Sequence, residues 1–407
     1  MKKFKHLLTS FVFVIALGTL FSAKVYAGTP MKVTNLRQLE SAGTSVKLGW
    51  DIAPGCEENY YALQISYDGV NWGMSDSSIC GCNTIIQNIA EGTTFYARVA
   101  AYDRYSWSSG AILGEYSDPI EVITNPADVT GVTQTGATED SVTISWNPVE
   151  GASSYQVALV TDGYPTVVET ADTCAVISGL APNSKLEYTV RALKVSQSGF
   201  VAAGAYSSYD WYGQTTKIKT IAQKLSKKNI GIDYIYNSWN EIGFGCTKPE
   251  NADGVQYEVR TVYKNKKVFS KGGTSSQQGF KYKKNVAYKY RARTYVEANG
   301  KKFYSAWSDF RYFMSGDLSA KKSGNSIKVT WKKASNVAKY TISISTAERT
   351  GYKKVKDVAA NKNSLVVSKI GNKKLNKNQS YYIKIDYVFK DGKKNYRSDC
   401  STIVKVY

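Results

Sequence analysis

The chain has 407 residues, with 53 Lys and Arg against 33 Asp and Glu and 43% hydrophobic residues. Its single histidine is His6, which lies in a stretch typical of a cleaved leader, so the mature chain contains none. The absence of histidine removes the commonest general base, the nucleophile–histidine pairs and the histidine-based zinc sites. We therefore expect a protein without a catalytic residue, a metal ion or a cofactor.

The N-terminus has the pattern of a secretory signal peptide. Lys2, Lys3 and Lys5 precede an apolar run over residues 11–21, and a small-residue ending follows at Ala27. The run is too short for a retained membrane anchor, which needs roughly 20 apolar residues. Residues 1–27 are therefore predicted to be removed, and the mature chain is predicted to be secreted and extracellular or associated with the cell surface, without a membrane span.

Four tryptophans recur at separations of 96, 93 and 92 residues, and each ends a strand-like stretch: Trp50, Trp146, Trp239 and Trp331. In the first, second and fourth stretches, apolar residues lie two and four positions before the tryptophan, which is the alternation of a half-buried strand. The third stretch has Asn237 two positions before Trp239 and matches the pattern least well. We predict that all four tryptophans are core residues of one repeated β-unit.

Farther along, each unit has an aromatic residue followed three positions later by a cation. These aromatic residues are Phe95, Tyr188, Tyr288 and Tyr381. A Tyr-Ser or Trp-Ser pair then precedes the last strand of the first three units, as in Tyr116-Ser117.

These motifs resemble the fibronectin type III repeat over about residues 30–407. The match is clearest from Leu180-Ala-Pro182 through Tyr188-Thr-Val-Arg-Ala192. The resemblance implies a seven-stranded, two-sheet Greek-key sandwich and a structural tyrosine-corner hydrogen bond for Tyr188, Tyr288 and Tyr381. Phe95 has no hydroxyl with which to make that bond. No Arg-Gly-Asp is present, so the integrin-binding loop of some members does not carry over.

The predicted fold class is all-β, with four tandem immunoglobulin-like sandwiches after the signal peptide. The predicted domains are residues 28–125, 126–220, 221–315 and 316–407, preceded by the leader at 1–27. Because the linkers are only a few residues long, a semi-rigid arrangement is expected. We call these four ranges repeats 1 to 4.

The charge divides the mature chain into two halves. Residues 28–220 contain 10 Lys and Arg against 20 Asp and Glu, whereas residues 221–407 contain 39 against 13. The alternation after Tyr288 places Lys289, Arg291 and Arg293 on one strand face, where we predict an exposed cationic ridge. The candidate polyanion-binding residues are these three and five lysines in short runs: Lys264, Lys266, Lys267, Lys283 and Lys284.

The favoured function is non-enzymatic binding at the cell surface, in which the basic half docks to an anionic polysaccharide or cell-wall polymer outside the cell. The alternative is a passive spacer or assembly rod, whose lysines keep the protein soluble and block edge-to-edge strand pairing. Protein partners stay open, and export makes nucleic acid a poor native partner.

Two smaller features complete the expectations. Cys56 and Cys82 are a candidate disulfide, with Cys80 as the alternative partner for Cys56. The turn that contains Tyr105 and Trp107 is a candidate contact loop, because loops at the ends of sandwiches commonly bind ligands.

Overall fold

The computed structural model describes residues 29–56, 59–103, 111–160, 166–207 and 216–407. It divides into two compact units, one formed by the chain up to Asn125 with Val195–Ala202 and the other by Pro126–Lys194 with Ala203–Tyr407. The predicted signal peptide and the Tyr105/Trp107 turn lie outside the described residues. Within the described ranges, no helix has the length and apolar character needed to cross a bilayer.

Repeat 1 is a pair of antiparallel sheets with orders β1-β2-β5 and β4-β3-β6-β7. Its strands are β1 (Arg37–Ala42), β2 (Ser45–Gly49), β3 (Tyr60–Ser66), β4 (Gly73–Cys80), β5 (Asn83–Ile86), β6 (Thr94–Tyr102) and β7 (Ile120–Ile123). The strands of repeat 2 are β8 (Thr133–Ala137), β9 (Ser141–Ser145), β10 (Ser154–Val160), β11 (Thr166–Thr170), β12 (Cys174–Ser178), β13 (Lys185–Val195), β14 (Val201–Ala203) and β15 (Thr216–Lys219). There β8-β9-β12 form one sheet, and the second contains β11-β10-β13 with β15 against β13.

Repeats 3 and 4 have the same plan. The strands of repeat 3 are β16 (Ile230–Tyr236), β17 (Glu241–Cys246), β18 (Gly254–Thr261), β19 (Lys267–Gly273), β20 (Gln277–Lys281), β21 (Tyr288–Ala298), β22 (Lys301–Tyr304) and β23 (Arg311–Phe313), with a 3-10 turn at Tyr263–Asn265. The strands of repeat 4 are β24 (Leu318–Ser323), β25 (Ser326–Trp331), β26 (Val337–Ser345), β27 (Lys353–Ala359), β28 (Ser364–Val367), β29 (Lys369–Ile370), β30 (Lys373–Lys374), β31 (Tyr381–Asp391), β32 (Lys394–Arg397) and β33 (Thr402–Val406). Their sheet orders are β16-β17-β20 with β19-β18-β21-β22, and β24-β25-β28 with β27-β26-β31-β32; β23 and β33 pair with β21 and β31. The prediction of an all-β chain of immunoglobulin-like sandwiches is confirmed.

A tryptophan–tyrosine pair lies at the centre of three repeats. The rings of Trp50 and Tyr61 have centroids 5.2 Å apart, and the corresponding pairs are 5.3 Å apart in repeats 2 and 4. Those pairs are Trp146 with Tyr155 and Trp331 with Tyr340. In each pair the tyrosine hydroxyl accepts a hydrogen bond from a backbone N–H of the preceding loop, at 2.9 to 3.3 Å. The pair therefore fixes that loop to the core as well as filling it.

The prediction for Trp239 is wrong. Its side chain is 68% exposed, and it lies in the turn between β16 and β17 rather than at the end of a strand. The residue at the tryptophan position of repeat 3 is Cys246, whose N–H donates to Ser276 as the N–H of Trp146 donates to Thr173. The true core strand is β17, where Phe244 is fully buried. The spacing of the tryptophans favoured Trp239 because this turn residue happens to lie about 93 residues after Trp146, close to the repeat length.

Tyr288 and Tyr381 occupy corner positions as the first residues of the long strands β21 and β31. The Tyr288 hydroxyl accepts a hydrogen bond from the N–H of Lys283 at 3.1 Å, and the Tyr381 hydroxyl accepts one from Asn376 at 2.8 Å. In both cases the donor lies five residues earlier in the chain. The bond ties the turn to the strand that follows it.

The corner expectation for Tyr188 is wrong because the motif is shifted by two residues in repeat 2. Leu186 pairs with Ile218 of the last strand as Phe95 pairs with Val122 in repeat 1. Leu186 therefore occupies the corner position, and Tyr188 lies two residues farther along, fully buried in the core. Burial raises the pKa of the Tyr188 hydroxyl well above its usual value.

Repeats 1 and 2 replace the corner tyrosine with a threonine from the end of the last strand. The hydroxyls of Thr124 and Thr220 donate to the carbonyls of Ala90 and Ala181, both at 2.8 Å. The same hydroxyls accept hydrogen bonds from the backbone N–H groups of Thr93 and Ser184, again at 2.8 Å. Since both threonines are almost completely buried, these bonds satisfy backbone groups that would otherwise be unpaired inside the protein.

The predicted disulfide is not formed, because Cys56 and Cys82 are both free thiols. The Cys56 thiol donates to the carbonyl of Tyr60 at 3.4 Å, and the Cys82 sulfur lies 3.6 Å from the hydroxyl of Tyr61. Cys80, the alternative partner, is exposed. Each sulfur of the predicted pair thus has a polar contact other than its expected partner.

Candidate functional site

The three cations of the predicted ridge lie on one face of β21, as strand parity requires. Each of these side chains contacts a polar side chain of the protein itself. Lys289 is buried and its Nζ is 2.7 Å from Asp391 of repeat 4. The guanidinium of Arg291 contacts the Glu258 carboxylate at 2.8 Å, and Arg293 Nε donates to Gln256 at 2.8 Å.

The buried carboxylate of Glu258 is charged because of its cationic neighbours. Burial of Glu258 opposes ionisation, but the guanidinium groups of Arg260 and Arg291 hold the pKa of its carboxyl below the usual value. The pKa of the Arg293 guanidinium is lowered, mainly by burial, and the positive charge of Arg291 acts in the same direction. The positive charges on this strand are therefore balanced or enclosed locally.

Aromatic rings alternate with these cations in a ladder along β21. Arg293 stacks on Tyr304 and Trp307, with its central guanidinium carbon 3.8 and 4.4 Å from the ring centroids. Arg291 lies 4.6 Å from Trp307 and 4.7 Å from Phe310. The ridge is thus a packed cation–π ladder rather than the open cationic surface that the sequence predicted, because rings from the following loop cover the strand face.

Shorter versions of the ladder occur in repeats 1 and 2. Arg98 lies over the rings of Trp72 and Tyr116 at 4.2 and 4.7 Å, and Arg191 lies over Tyr206 at 4.5 Å. The serine of each Tyr-Ser or Trp-Ser pair accepts a backbone N–H of the neighbouring long strand. These serines are Ser117, Ser207 and Ser308, with distances of 3.1, 3.1 and 3.0 Å. The recurring motif after the arginine therefore marks the ladder, which was a signal available in the sequence.

The five remaining candidate lysines are exposed, and they lie between β18 and β19 or between β20 and β21 of repeat 3, with Lys267 at the start of β19. Lys264 and Lys266 line a mostly apolar recess of about 290 Å³ with Tyr263 and the turn at residues 285–287. Lys283 and Lys284 lie just before the turn. Lys284 contacts Asp317 at 3.8 Å; the other four make no ion pair in the described part of the chain.

A second group of exposed lysines lies on repeat 4, beside its edge strand β27. Lys369 faces Lys374 across the two-stranded β29-β30 hairpin, and Lys373 directly precedes Lys374 on β30. Lys353 of β27 reaches this hairpin at Gly371. None of these four ammonium groups is ion-paired within the described ranges, so the like charges face water together.

Repeats 3 and 4 are joined by a partly exposed ion pair. The Asp399 carboxylate accepts both Nε and Nη2 of Arg311, at 2.7 and 2.8 Å, and the hydroxyl of Tyr290 at 2.8 Å. Arg311 also donates from Nη1 to the carbonyls of Lys227 and Ile230. This bidentate contact holds three segments of repeat 3 against the C-terminal part of repeat 4.

No protein-family model matches the chain. Among solved structures, it is similar to the FN1-FN3 domains of chicken CNTN1, with 16% identity over 70% of this chain and 99% of that one and a TM-score of 0.32. It is also similar to a two-domain fibronectin type III segment of chicken tenascin, with 20% identity over 46% of this chain and 99% of that one and a TM-score of 0.27. The chain's own strand orders and all-β content are consistent with tandem fibronectin type III repeats.

Proposed function

We propose that the chain is a secreted, non-catalytic surface protein whose basic repeats 3 and 4 bind an anionic extracellular or cell-wall glycopolymer. The charge excess carries this proposal. Residues 221–407 have 39 cationic side chains and 13 carboxylates, so cations outnumber carboxylates three to one in this half. A surface of this kind attracts polyanions through a long-range field that salt weakens.

The contacts show which cations are left over. The ladder residues are enclosed. By contrast, four lysines on the turns of repeat 3 and at the start of β19 are exposed and have no acidic partner in the described ranges: Lys264, Lys266, Lys267 and Lys283. A flexible polymer can follow such dispersed ammonium groups, each of which keeps its hydration until contact. The loops of repeat 3 and the lysine hairpin of repeat 4 are therefore the proposed contact surface.

The test uses the full mature chain on an immobilised sulfated or carboxylated polysaccharide, eluted with a salt gradient. Replacing Lys264, Lys266 and Lys267 with alanine should lower the eluting salt concentration. For a linear polyanion each lost contact reduces the slope of log affinity against log salt by roughly 0.7–0.9, so the triple variant should lose about 2 to 3.

The matched control removes three lysines from the acidic half: Lys32, Lys47 and Lys185. It has the same change in net charge and should elute close to the unmodified protein. Equal losses for the two triple variants would show that net charge, rather than the proposed surface, governs retention. A wild-type chain that does not bind in low salt would favour the passive-spacer alternative, and release of reducing ends from the polymer would contradict the non-catalytic assignment.

A further inference from the structure

A groove of about 540 Å³ runs from the end of the cation–π ladder to the hairpin formed by β31 and β32. Its walls combine aromatic rings with cations: Lys227, Arg291, Trp307, Phe310, Tyr312, Lys394 and Tyr396, together with Ser308 and Asp309. Small-molecule sites have volumes of ~300–1,000 Å³ and are lined by aromatic side chains with a few placed polar groups. We propose that this groove binds an acidic sugar of a polysaccharide, as a specific subsite of the polyanion binding proposed above.

The charges available to a ligand come from two lysines. Arg291 is already paired with Glu258, and the Asp309 carboxylate is held by Lys224 at 2.7 Å. Lys227 and Lys394 are exposed and make no ion pair within 4 Å in the described part of the chain, and Lys227 also helps Lys224 to offset the charge of Asp309. These two ammonium groups reach the groove from repeats 3 and 4 respectively, so a bound carboxylate or sulfate would bring the two repeats' charges to one ligand.

Tyr396 supplies a rigid aromatic surface in the same groove. It lies on the same side of β32 as Lys394, two residues away. Its ring stacks on Tyr312, with centroids 4.3 Å apart and planes at 15°. The Tyr312 side chain is buried and its hydroxyl donates to Asp391 at 2.9 Å, so the ring beneath Tyr396 is held in position.

The groove is held in shape before any ligand arrives. Arg311 donates to the Lys227 carbonyl at 2.7 Å while the same guanidinium pairs with Asp399. The backbone that presents Lys227 is therefore tied to the repeat that presents Lys394 and Tyr396. Such preorganisation favours binding because little conformational freedom remains to be lost.

The combination of a ring and two lysines selects the ligand class. The apolar face of a pyranose packs on an aromatic ring, and a carboxylate or sulfate on that sugar pairs with the ammonium groups. A phosphate chain without sugar rings satisfies only the lysines. We therefore assign the groove to uronic-acid-type or sulfated sugars in preference to ring-free polyanions.

The experiment measures calorimetric binding of tetragalacturonate to the full mature chain, with maltotetraose as a neutral sugar and tetrapolyphosphate as a ring-free anion. Lys227→Ala with Lys394→Ala should weaken tetragalacturonate at least tenfold. The equal-charge control Lys321→Ala with Lys328→Ala, on the other sheet of repeat 4, should change affinity less than twofold. Maltotetraose should not bind detectably.

The ring is tested by two substitutions that keep an apolar side chain on Tyr312. Tyr396→Phe should retain affinity for tetragalacturonate, and Tyr396→Leu should lose most of it while affecting tetrapolyphosphate less than twofold. Equal affinity of the Phe and Leu variants, or equal losses in both lysine double variants, would overturn the assignment. Because Tyr396→Leu removes no charge, its slope of log affinity against log salt should be unchanged although its affinity for the acidic sugar falls, so failure of the groove is distinguishable from failure of general polyanion binding.

Discussion

Removal of the Asp399 carboxylate tests whether the junction of repeats 3 and 4 is a structural bond or a surface contact. The Asp399 side chain is 17% exposed and accepts three hydrogen bonds, two from Arg311 and one from the fully buried Tyr290. Hydrogen bonds to charged groups contribute about 1.5–3 kcal/mol each, and partial solvent exposure of the Arg311 and Asp399 side chains keeps their sum near one such bond. Asp399→Ala should therefore destabilise the junction by about 2–3 kcal/mol.

The matched control is Asp357→Ala. Asp357 also accepts three donors, from Lys339, Lys354 and Thr341 at 2.8 to 2.9 Å, but all lie within repeat 4 and its side chain is 33% exposed. Solvent screening limits such surface pairs to about 0–1 kcal/mol each. The comparison thus separates burial and bridging from the number of contacts.

The assay is amide hydrogen exchange of β23 (Arg311–Phe313), which contains Arg311 of the pair. A loss of about 3 kcal/mol corresponds to exchange roughly 100-fold faster, since each 1.4 kcal/mol is a factor of ten. Asp399→Asn, which keeps one acceptor oxygen, should have a smaller effect than the alanine variant. If Asp399→Ala accelerates exchange no more than Asp357→Ala does, the junction is not held by this ion pair.

Three further predictions concern the repeats themselves. Thr220→Val should lower the stability of repeat 2 by about 1–3 kcal/mol in urea unfolding, because two buried backbone groups lose their partner; an unchanged midpoint would contradict the threonine corner. Trp239→Ala should cost less than about 1 kcal/mol whereas Trp331→Ala should cost about 3–5 kcal/mol in the same assay, and a reversed order would restore Trp239 to the core. Burial raises the pKa of the Cys400 thiol to about 11, so at pH 8 this thiol is protonated, and its burial keeps it from reagents. Maleimide labelling followed by mass spectrometry should therefore find the exposed Cys174 modified and Cys400 unmodified until the chain unfolds. Labelling of the two cysteines at equal rates would refute this.

The repeated strands were predictable because their signal is local. The alternation of Val142, Ile144 and Trp146 predicts a strand with one buried face from five residues alone. The strand β9 is found at this place, and all three side chains are buried. The same reasoning failed at Trp239, where a turn residue imitates the period. The register of β17 depends on which residues reach the opposing sheet, and single-residue spacing does not encode that choice.

The corner hydrogen bonds were only partly predictable. Tyr288 and Tyr381 fit a local motif, but Thr220 acts on a carbonyl 39 residues away, and its hydroxyl carries no sequence mark of that role. The recurring arginine and the Tyr-Ser or Trp-Ser pair indicated a contact that repeats along the chain. The sequence does not show that aromatic rings pack on this strand face, however, so Lys289, Arg291 and Arg293 were predicted to form an exposed ridge.

By itself, the sequence determined the all-β class, the fourfold repetition and the division of charge, since strand alternation and net charge are sums over local residues. Tertiary structure decided which charges remain available. Lys289 is paired with Asp391, 102 positions away, while Lys394, three residues beyond that aspartate, faces an aromatic groove without an ion pair in the described ranges. The two lysines look alike in sequence because pairing distance and burial arise only when distant strands pack.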